Sequence, residues 1–294
     1  MRVCAIDVGT NTVVSVVADV DNGELTILAD EERFARLGQG VDASGRLAPE
    51  AMDRVLDRLA QAQATARQLN AEHTIIAATS ASRDASNVGE LQERVRRELG
   101  LDYRVISGVE EAALSFRGAL AMRPELATAC VVDIGGGSTE IVAGTQAGGV
   151  TYRTSLDVGS VRLTERHIDS YPVSEDTSSR IVADVRAALR RIELAKVSGI
   201  PVVATGSVAQ LLAGDDHQAS QGEVAEWRQR VTSRTPEQVL ALAPDRLAGR
   251  QDVVATSVLI LETLLDAFGA TGYLATQGAL RHGLALQTAE AIGR

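Results

Sequence analysis

The sequence predicts an α/β protein made of two lobes that begin with the same folding unit, and three observations carry that prediction. Cys4-Ala5-Ile6-Asp7-Val8-Gly9-Thr10-Asn11-Thr12 aligns without a gap on Cys130-Val131-Val132-Asp133-Ile134-Gly135-Gly136-Gly137-Ser138. Between and after these copies, short apolar runs alternate with stretches of helical period, the pattern of strands and helices in turn. Hydrophobic residues make up 45% of the 294, yet aromatics only 3%, so the core rests on Val, Leu, Ile and Ala. Such a composition suits buried strands flanked by helices.

Each copy opens the same way: a strand, a glycine-containing turn, a second strand (Val13–Ala18 or Thr139–Gly144), a turn at Gly23 or Gly149, and a third strand (Glu24–Leu28 or Val150–Ser155). Pro49 then starts a helix with Met52, Val55, Leu56 and Leu59 on one face. Thr74–Thr79 reads as a buried parallel strand. Asn87 is the expected N-cap of a helix carrying Leu91, Val95 and Leu99, which Gly100 ends. Tyr103–Ile106 is a short strand, and Ser107-Gly108 turns into a helix from about Val109 that Pro124 stops near Met122 or Arg123.

The second half repeats the alternation. Ser174 caps a helix expected to run to about Glu193, with Glu175 and Asp176 suiting its positive end. Pro201–Thr205 is a strand, and Gly206-Ser207 leads into another helix. Asp215 to Thr235 is polar and weakly periodic, expected as an exposed loop with one short helix. Val253–Phe268 is an apolar helix, Tyr273–Thr276 a strand, and Gly278–Ile292 a closing helix. The expected lobes are 1–124 and 125–294, with the final helix a candidate to pack back on the first.

Twenty-nine Lys and Arg against thirty-nine Asp and Glu leave a formal charge of −10. That field disfavours nucleic acid and anionic membranes as partners. Any anionic substrate needs local Arg, backbone N–H groups and a metal. Cys4 and Cys130 each sit in an apolar strand, and nothing points to secretion or a disulfide. No leader or membrane-length apolar run is legible, so the expected compartment is the cytoplasm.

Asp7-x-Gly9 and Asp133-x-Gly135 each place a carboxylate at a strand end before a tight turn. Glycine lets backbone N–H groups approach an oxyanion. A carboxylate beside phosphate needs a hard cation between them, which points to Mg²⁺. The plainer alternative is that these residues only shape hairpins, and the matched second copy weighs against it. Glu110 and Glu111 open a helix after a strand and turn, where open α/β sheets place their sites. Either could activate water, or both could simply match the helix dipole. Glu140 could return to a metal site or face solvent. Arg83 could fork onto phosphate or be a surface residue. No CxxC or spaced histidine pair supports zinc, and no GxGxxG, Walker lysine or GxSxG pattern occurs.

AIDVGTNT, RLGQGVDASGRLAPEAM, ATSASRDASN, ISGVEEA, VDIGGGSTE and QDVVATSVLIL with TQGALRHGL fall in the order and spacing of one family. The chain resembles the exopolyphosphatase/guanosine pentaphosphate phosphohydrolase (Ppx/GppA) family over nearly its whole length. The resemblance implies an actin-like, ribonuclease-H-type fold in each lobe, with the site in a central cleft. It implies that Glu111 is the base, that Asp133 and Glu140 position Mg²⁺ (or Mn²⁺) and water, and that Arg83 binds the departing phosphoryl group. Asp7, Gly9, Thr10 and Asn11, with Gly135, Gly136, Gly137 and Ser138, would bind phosphate. Gly206 and Ser207 resemble a third loop, less closely, because Gly-Ser-Val stands where Gly-Thr is usual. Thr10 and Thr12 replace the usual serines and keep the hydroxyls. The helical domain that longer members append is not seen here, and a homodimer is a family-level expectation. The implied substrates are inorganic polyphosphate or guanosine pentaphosphate. Competing readings are an actin-like small-molecule kinase and a non-catalytic polyphosphate or alarmone sensor.

Overall fold

The computed structural model describes residues 1–293, and in it the first copy of the repeat forms a meander of β1 (Arg2–Val8), β2 (Thr12–Asp21) and β3 (Glu24–Phe34). The chain continues through α1 (Val41–Ser44), α2 (Pro49–Gln68), β4 (His73–Ala78), α3 (Ser80–Asp84), α4 (Val88–Leu99), β5 (Tyr103–Val105) and α5 (Gly108–Ala121). The sheet order is β3-β2-β1-β4-β5, with β1, β4 and β5 parallel and β2 antiparallel to its neighbours. Side chains alternate across this sheet. Cys4, Ile6 and Val8 pack with Val55, Leu59, Leu91 and Val95 on one face, while Val3, Ala5 and Ala77 pack with Leu114, Leu280 and Leu284 on the other. Burying each such aliphatic side chain contributes about 1.5–3 kcal/mol, which explains how a chain so poor in aromatics holds its sheets.

The second unit repeats the plan with β6 (Thr128–Ile134), β7 (Thr139–Thr145), β8 (Gly149–Leu156), α6 (Ser160–His167), α7 (Glu175–Leu189), β9 (Val202–Thr205), α8 (Ser207–Ala213), β10 (Gln218–Ser220), α9 (Gln221–Thr232), α10 (Pro236–Leu240), α11 (Pro244–Leu247), α12 (Val254–Phe268) and β11 (Gly272–Thr276). Its order is β10-β11-β9-β6-β7-β8, so β8-β7-β6-β9-β11 reproduces the first sheet and β10 adds an antiparallel edge. The final helix α13 (Leu280–Ile292) belongs to the first unit, which comprises residues 1–123 and the stretch from Gly278. There it packs on α5 at glycine contacts: a Cβ on Gly283 would fall 2.0 Å from the Leu114 carbonyl oxygen of α5, and one on Gly118 2.0 Å from the carbonyl oxygen of Ala279, the residue that precedes α13.

Several expectations change. Residues 215–235 are not mainly loop. Ser220 and Glu223 form a reciprocal capping box that starts the twelve-residue α9, and Val224 and Val231 bury its inner face. That S-x-x-E start is a sequence signal for a helix, and the surrounding polarity masked it. Asn87 holds the expected N-cap position of α4, but its side chain makes no capping hydrogen bond there. Its amide instead accepts from the Leu47 N–H (2.8 Å) and donates to the Leu47 carbonyl (3.1 Å), tying two distant segments together. Helix α7 ends at Leu189 rather than near Glu193, and β3 runs on to Phe34 because it pairs along all of β2. Ser174 caps α7 as expected, accepting from the Thr177 N–H at 3.1 Å. Both cysteines are buried and free, with their thiols pushed up to about 12, chiefly by burial.

Candidate active site

The two glycine loops share one hydrogen-bond scheme. Gly9 N–H donates to the Thr12 carbonyl at 2.9 Å, and Gly135 N–H to the Ser138 carbonyl at 2.9 Å. In each loop a downstream segment takes the carbonyls. The N–H groups of Ala35 and Arg36 donate to Asn11 O, and that of Gly38 to Thr10 O. In the second loop Ser160 N–H donates to Gly135 O, those of Val161 and Arg162 to Gly136 O, and Arg162 Nε to Gly137 O at 2.7 Å. A trans peptide points its C=O and its N–H in opposite directions. Tying back the carbonyls of Gly135, Gly136 and Gly137 therefore turns the N–H groups of Gly136, Gly137 and Ser138 the other way. Successive N–H groups presented like this form an anion-binding concavity. Gly159 permits the arrangement, since a Cβ there would lie 2.4 Å from Gly136 O.

In the first unit, Asp7 ends β1 and lies in register with Ala77 of β4. Thr10 is buried, and its Oγ1 has no hydrogen-bond partner within the protein. The structure separates the two glutamates of α5. Glu111 is buried, 7% exposed, and accepts a hydrogen bond from Arg83 Nη1 at 2.5 Å. Glu110 points outward and pairs with Arg104 across 2.9 Å, both side chains a third or more exposed. Arg83 also donates to the Ile106 carbonyl at 3.2 Å. It is fixed at the end of α3, whose neighbour Ser82 is hydrogen bonded to the buried Tyr103 hydroxyl at 2.8 Å. Arg83 is thus an ion-pair partner of Glu111 rather than a surface residue.

In the second unit, Asp133 of β6 stands directly opposite Glu140 of β7, and Glu140 opposite Ser155 of β8. Glu140 is 1% exposed, which removes the solvent-facing alternative, and its Oε1 accepts from Ser155 Oγ at 2.7 Å. On the other side of Asp133, in parallel register, lies Thr205 of β9. Gly206 follows at φ 92° and ψ 160°, a conformation essentially reserved for glycine, and with Ser207 it leads into α8. Ser155 and Thr205 were not singled out from sequence. Their signal is long-range strand register, which no local motif reports.

Mg²⁺ takes one or two carboxylates and completes its octahedron with water and phosphate oxygens. Asp133 and Glu140, two facing carboxylates beside a loop of N–H groups, fit that demand. Among the described residues no group of three or more His, Cys, Asp or Glu gathers to hold a metal ion by itself, so water and phosphate oxygens would have to supply the remaining ligands. No helix among them is long and apolar enough to cross a membrane.

The sequence profile of the Ppx/GppA phosphatase family matches residues 16–291. This chain belongs to that family. It is 38% identical over 291 residues to exopolyphosphatase 2 of Mycobacterium tuberculosis, a match covering 90% of this chain and 89% of that one. A guanosine-5'-triphosphate,3'-diphosphate pyrophosphatase of Vibrio atlanticus is 32% identical over 188 residues, 64% of this chain and 38% of the relative. Among solved structures, an exopolyphosphatase from Cytophaga hutchinsonii superposes with a TM-score of 0.89 at 25% identity, covering 100% of this chain and 98% of its own. The Aquifex aeolicus Ppx/GppA family member superposes with a TM-score of 0.81 at 26% identity, covering 100% and 99%. The two-lobe α/β fold of the resemblance is therefore the fold of this protein.

Proposed function

We propose that this enzyme hydrolyses the terminal phosphoanhydride of inorganic polyphosphate or guanosine pentaphosphate and releases orthophosphate. The observation that carries the reading is the second glycine loop. Its N–H groups are turned outward beside the facing carboxylates Asp133 and Glu140, in a chain 38% identical to an exopolyphosphatase. The loop N–H groups bind nonbridging phosphate oxygens, as Thr10 and Asn11 do in the first loop. Asp133 and Glu140 hold Mg²⁺, which when bound neutralises charge on the phosphates. Ser155 fixes the Glu140 carboxylate. Glu111 accepts the proton of the attacking water as its oxygen bonds to the terminal phosphorus. The bond from that phosphorus to the bridging oxygen breaks, and the shortened chain leaves with that oxygen. Arg83 orients Glu111 and donates to the transferred phosphoryl group.

A formal charge of −10 with no long Lys or Arg run gives no extended track for a polyanion. Short oligophosphates should therefore be used at least as efficiently as long chains, and kcat/KM per chain end that climbs steadily with length would contradict this. Orthophosphate release without an acceptor tests the function itself. A kinase of this fold would turn over only with an acceptor, and a sensor not at all.

A further inference from the structure

Thr205 closes β9 in register with Asp133 on one side and with Thr276 of β11 on the other. Residues in register on neighbouring strands share a face. Thr205, Asp133, Glu140 and Ser155 thus form one row across four strands at the end that carries the glycine loop. The row lies on the face away from Cys130, Val132, Ile141 and Ala204, which pack into the main core of this unit. Thr205 is 3% exposed, and its Oγ1 has no hydrogen-bond partner within the protein. An unsatisfied buried hydroxyl destabilises a fold, and such groups in native structures call for an explanation. Valine would fill the same volume, suit the strand and leave nothing unsatisfied. The hydroxyl therefore works against the stability of the ligand-free protein.

We propose that Thr205 is a positioning residue for Asp133: its Oγ–H donates to the Asp133 carboxylate when that carboxylate holds the divalent cation. The proposal rests on the assignment of Asp133 and Glu140 to the cation. Adjacent strands stand about 4.8 Å apart, so a rotation about the Thr205 Cα–Cβ bond is enough to bring the hydroxyl toward the neighbouring carboxylate. Ser155 already does this for Glu140 from the far end of the row. With both hydroxyls engaged, each carboxylate has its orientation set by the strand beside it, and groups that orient metal ligands govern affinity strongly.

The test is Mn²⁺ binding, followed by electron paramagnetic resonance of the free ion, together with the melting temperature of the cation-free protein. The full-length parent is compared with Thr205→Val, Thr205→Ser and the control Thr263→Val, whose hydroxyl bonds to the Leu259 carbonyl inside α12 at 2.7 Å. Thr205→Val should lose about 10–100-fold in Mn²⁺ affinity while melting about 2–4 °C higher without the cation. Thr205→Ser should stay within a few-fold of the parent in affinity, and Thr263→Val should bind Mn²⁺ as the parent does. Parent-like affinity in Thr205→Val overturns the proposal and leaves the cation assignment standing. A lower melting temperature for cation-free Thr205→Val also overturns it, by revealing a partner for the hydroxyl inside the fold. A parent that binds no Mn²⁺ overturns the cation assignment and this proposal together.

Discussion

Glu111→Gln keeps the shape of the side chain and removes its capacity to accept a proton. Two effects separate in the structure. The first is catalytic: a positioned base contributes about 10²–10⁴ in rate, equivalent to roughly 3–5 kcal/mol of barrier. The second is structural, because Arg83 loses its charged partner at 2.5 Å. Breaking one side of a fully buried pair costs about 3–5 kcal/mol. Here the Arg83 side chain is 21% exposed and keeps the Ile106 carbonyl, so the loss should be smaller, on the order of 1–2 kcal/mol. Glu111→Gln should therefore fold, melt a few degrees lower, and turn over 10²–10⁴-fold more slowly. Orthophosphate release under saturating substrate measures the rate, and thermal denaturation measures the fold. Glu110→Gln is the control. Its exposed pair with Arg104 is worth at most about 1 kcal/mol, and its rate should match the parent. Combining Arg83→Ala with Glu111→Gln should cost less than the sum of the two single changes, since the residues share one contact. A Glu111→Gln protein within a few-fold of the parent would refute the assignment of the base.

Two further outcomes concern stability. His282 is 1% exposed, and burial, reinforced by Arg281 and opposed by Asp30, pushes its imidazole down to about 4, below the ordinary 6.5. The unfolded chain thus binds the proton first, so stability is complete above about pH 6.5 and declines as pH falls toward 4, by up to about 3 kcal/mol. Protonation also removes the Nδ1 acceptor of the Ala279 N–H that starts α13. Urea denaturation from pH 7.5 to 4.5 should show this slope in the parent and not in His282→Asn; equal slopes would contradict it. Gly283→Ala places a methyl 2.0 Å from the Leu114 carbonyl oxygen and should destabilise by about 1–3 kcal/mol as α5 and α13 are forced apart. A midpoint in urea equal to the parent's would show that the helix contact is looser than described.

What could be read from the sequence was what repeats or is local. The two Asp-x-Gly turns, the strand-helix alternation and the Ser174 cap are set by neighbours within a few residues. The choice between Glu110 and Glu111 was not local. Adjacent helix residues differ by about 100° in direction, and only the packing of α3 against the end of β5 puts Arg83 beside one of them. The same holds for the loops. Glycine announced flexibility at residues 135–137, whereas the outward turn of the Gly136, Gly137 and Ser138 N–H groups depends on carbonyl bonds to Ser160, Val161 and Arg162. Ser155 and Thr205 reach the Asp133 row through register across three strand pairs, and single-sequence patterns do not encode register between distant strands. Asn87 had the composition of a cap and was recruited by Leu47, forty residues upstream, a tertiary choice that overrode local preference.

Orthophosphate release bears most directly on the central claim. The purified protein is given polyphosphate or guanosine pentaphosphate, without any acceptor, in Mg²⁺ and again in excess EDTA. The expected result is steady release from at least one of the two substrates in Mg²⁺, silenced by EDTA and restored by added Mg²⁺. Asp133→Asn should raise the Mg²⁺ concentration required and lower the maximal rate. Undiminished release in EDTA would contradict the cation site at Asp133 and Glu140, and no release from either substrate under any condition would contradict the hydrolase reading itself.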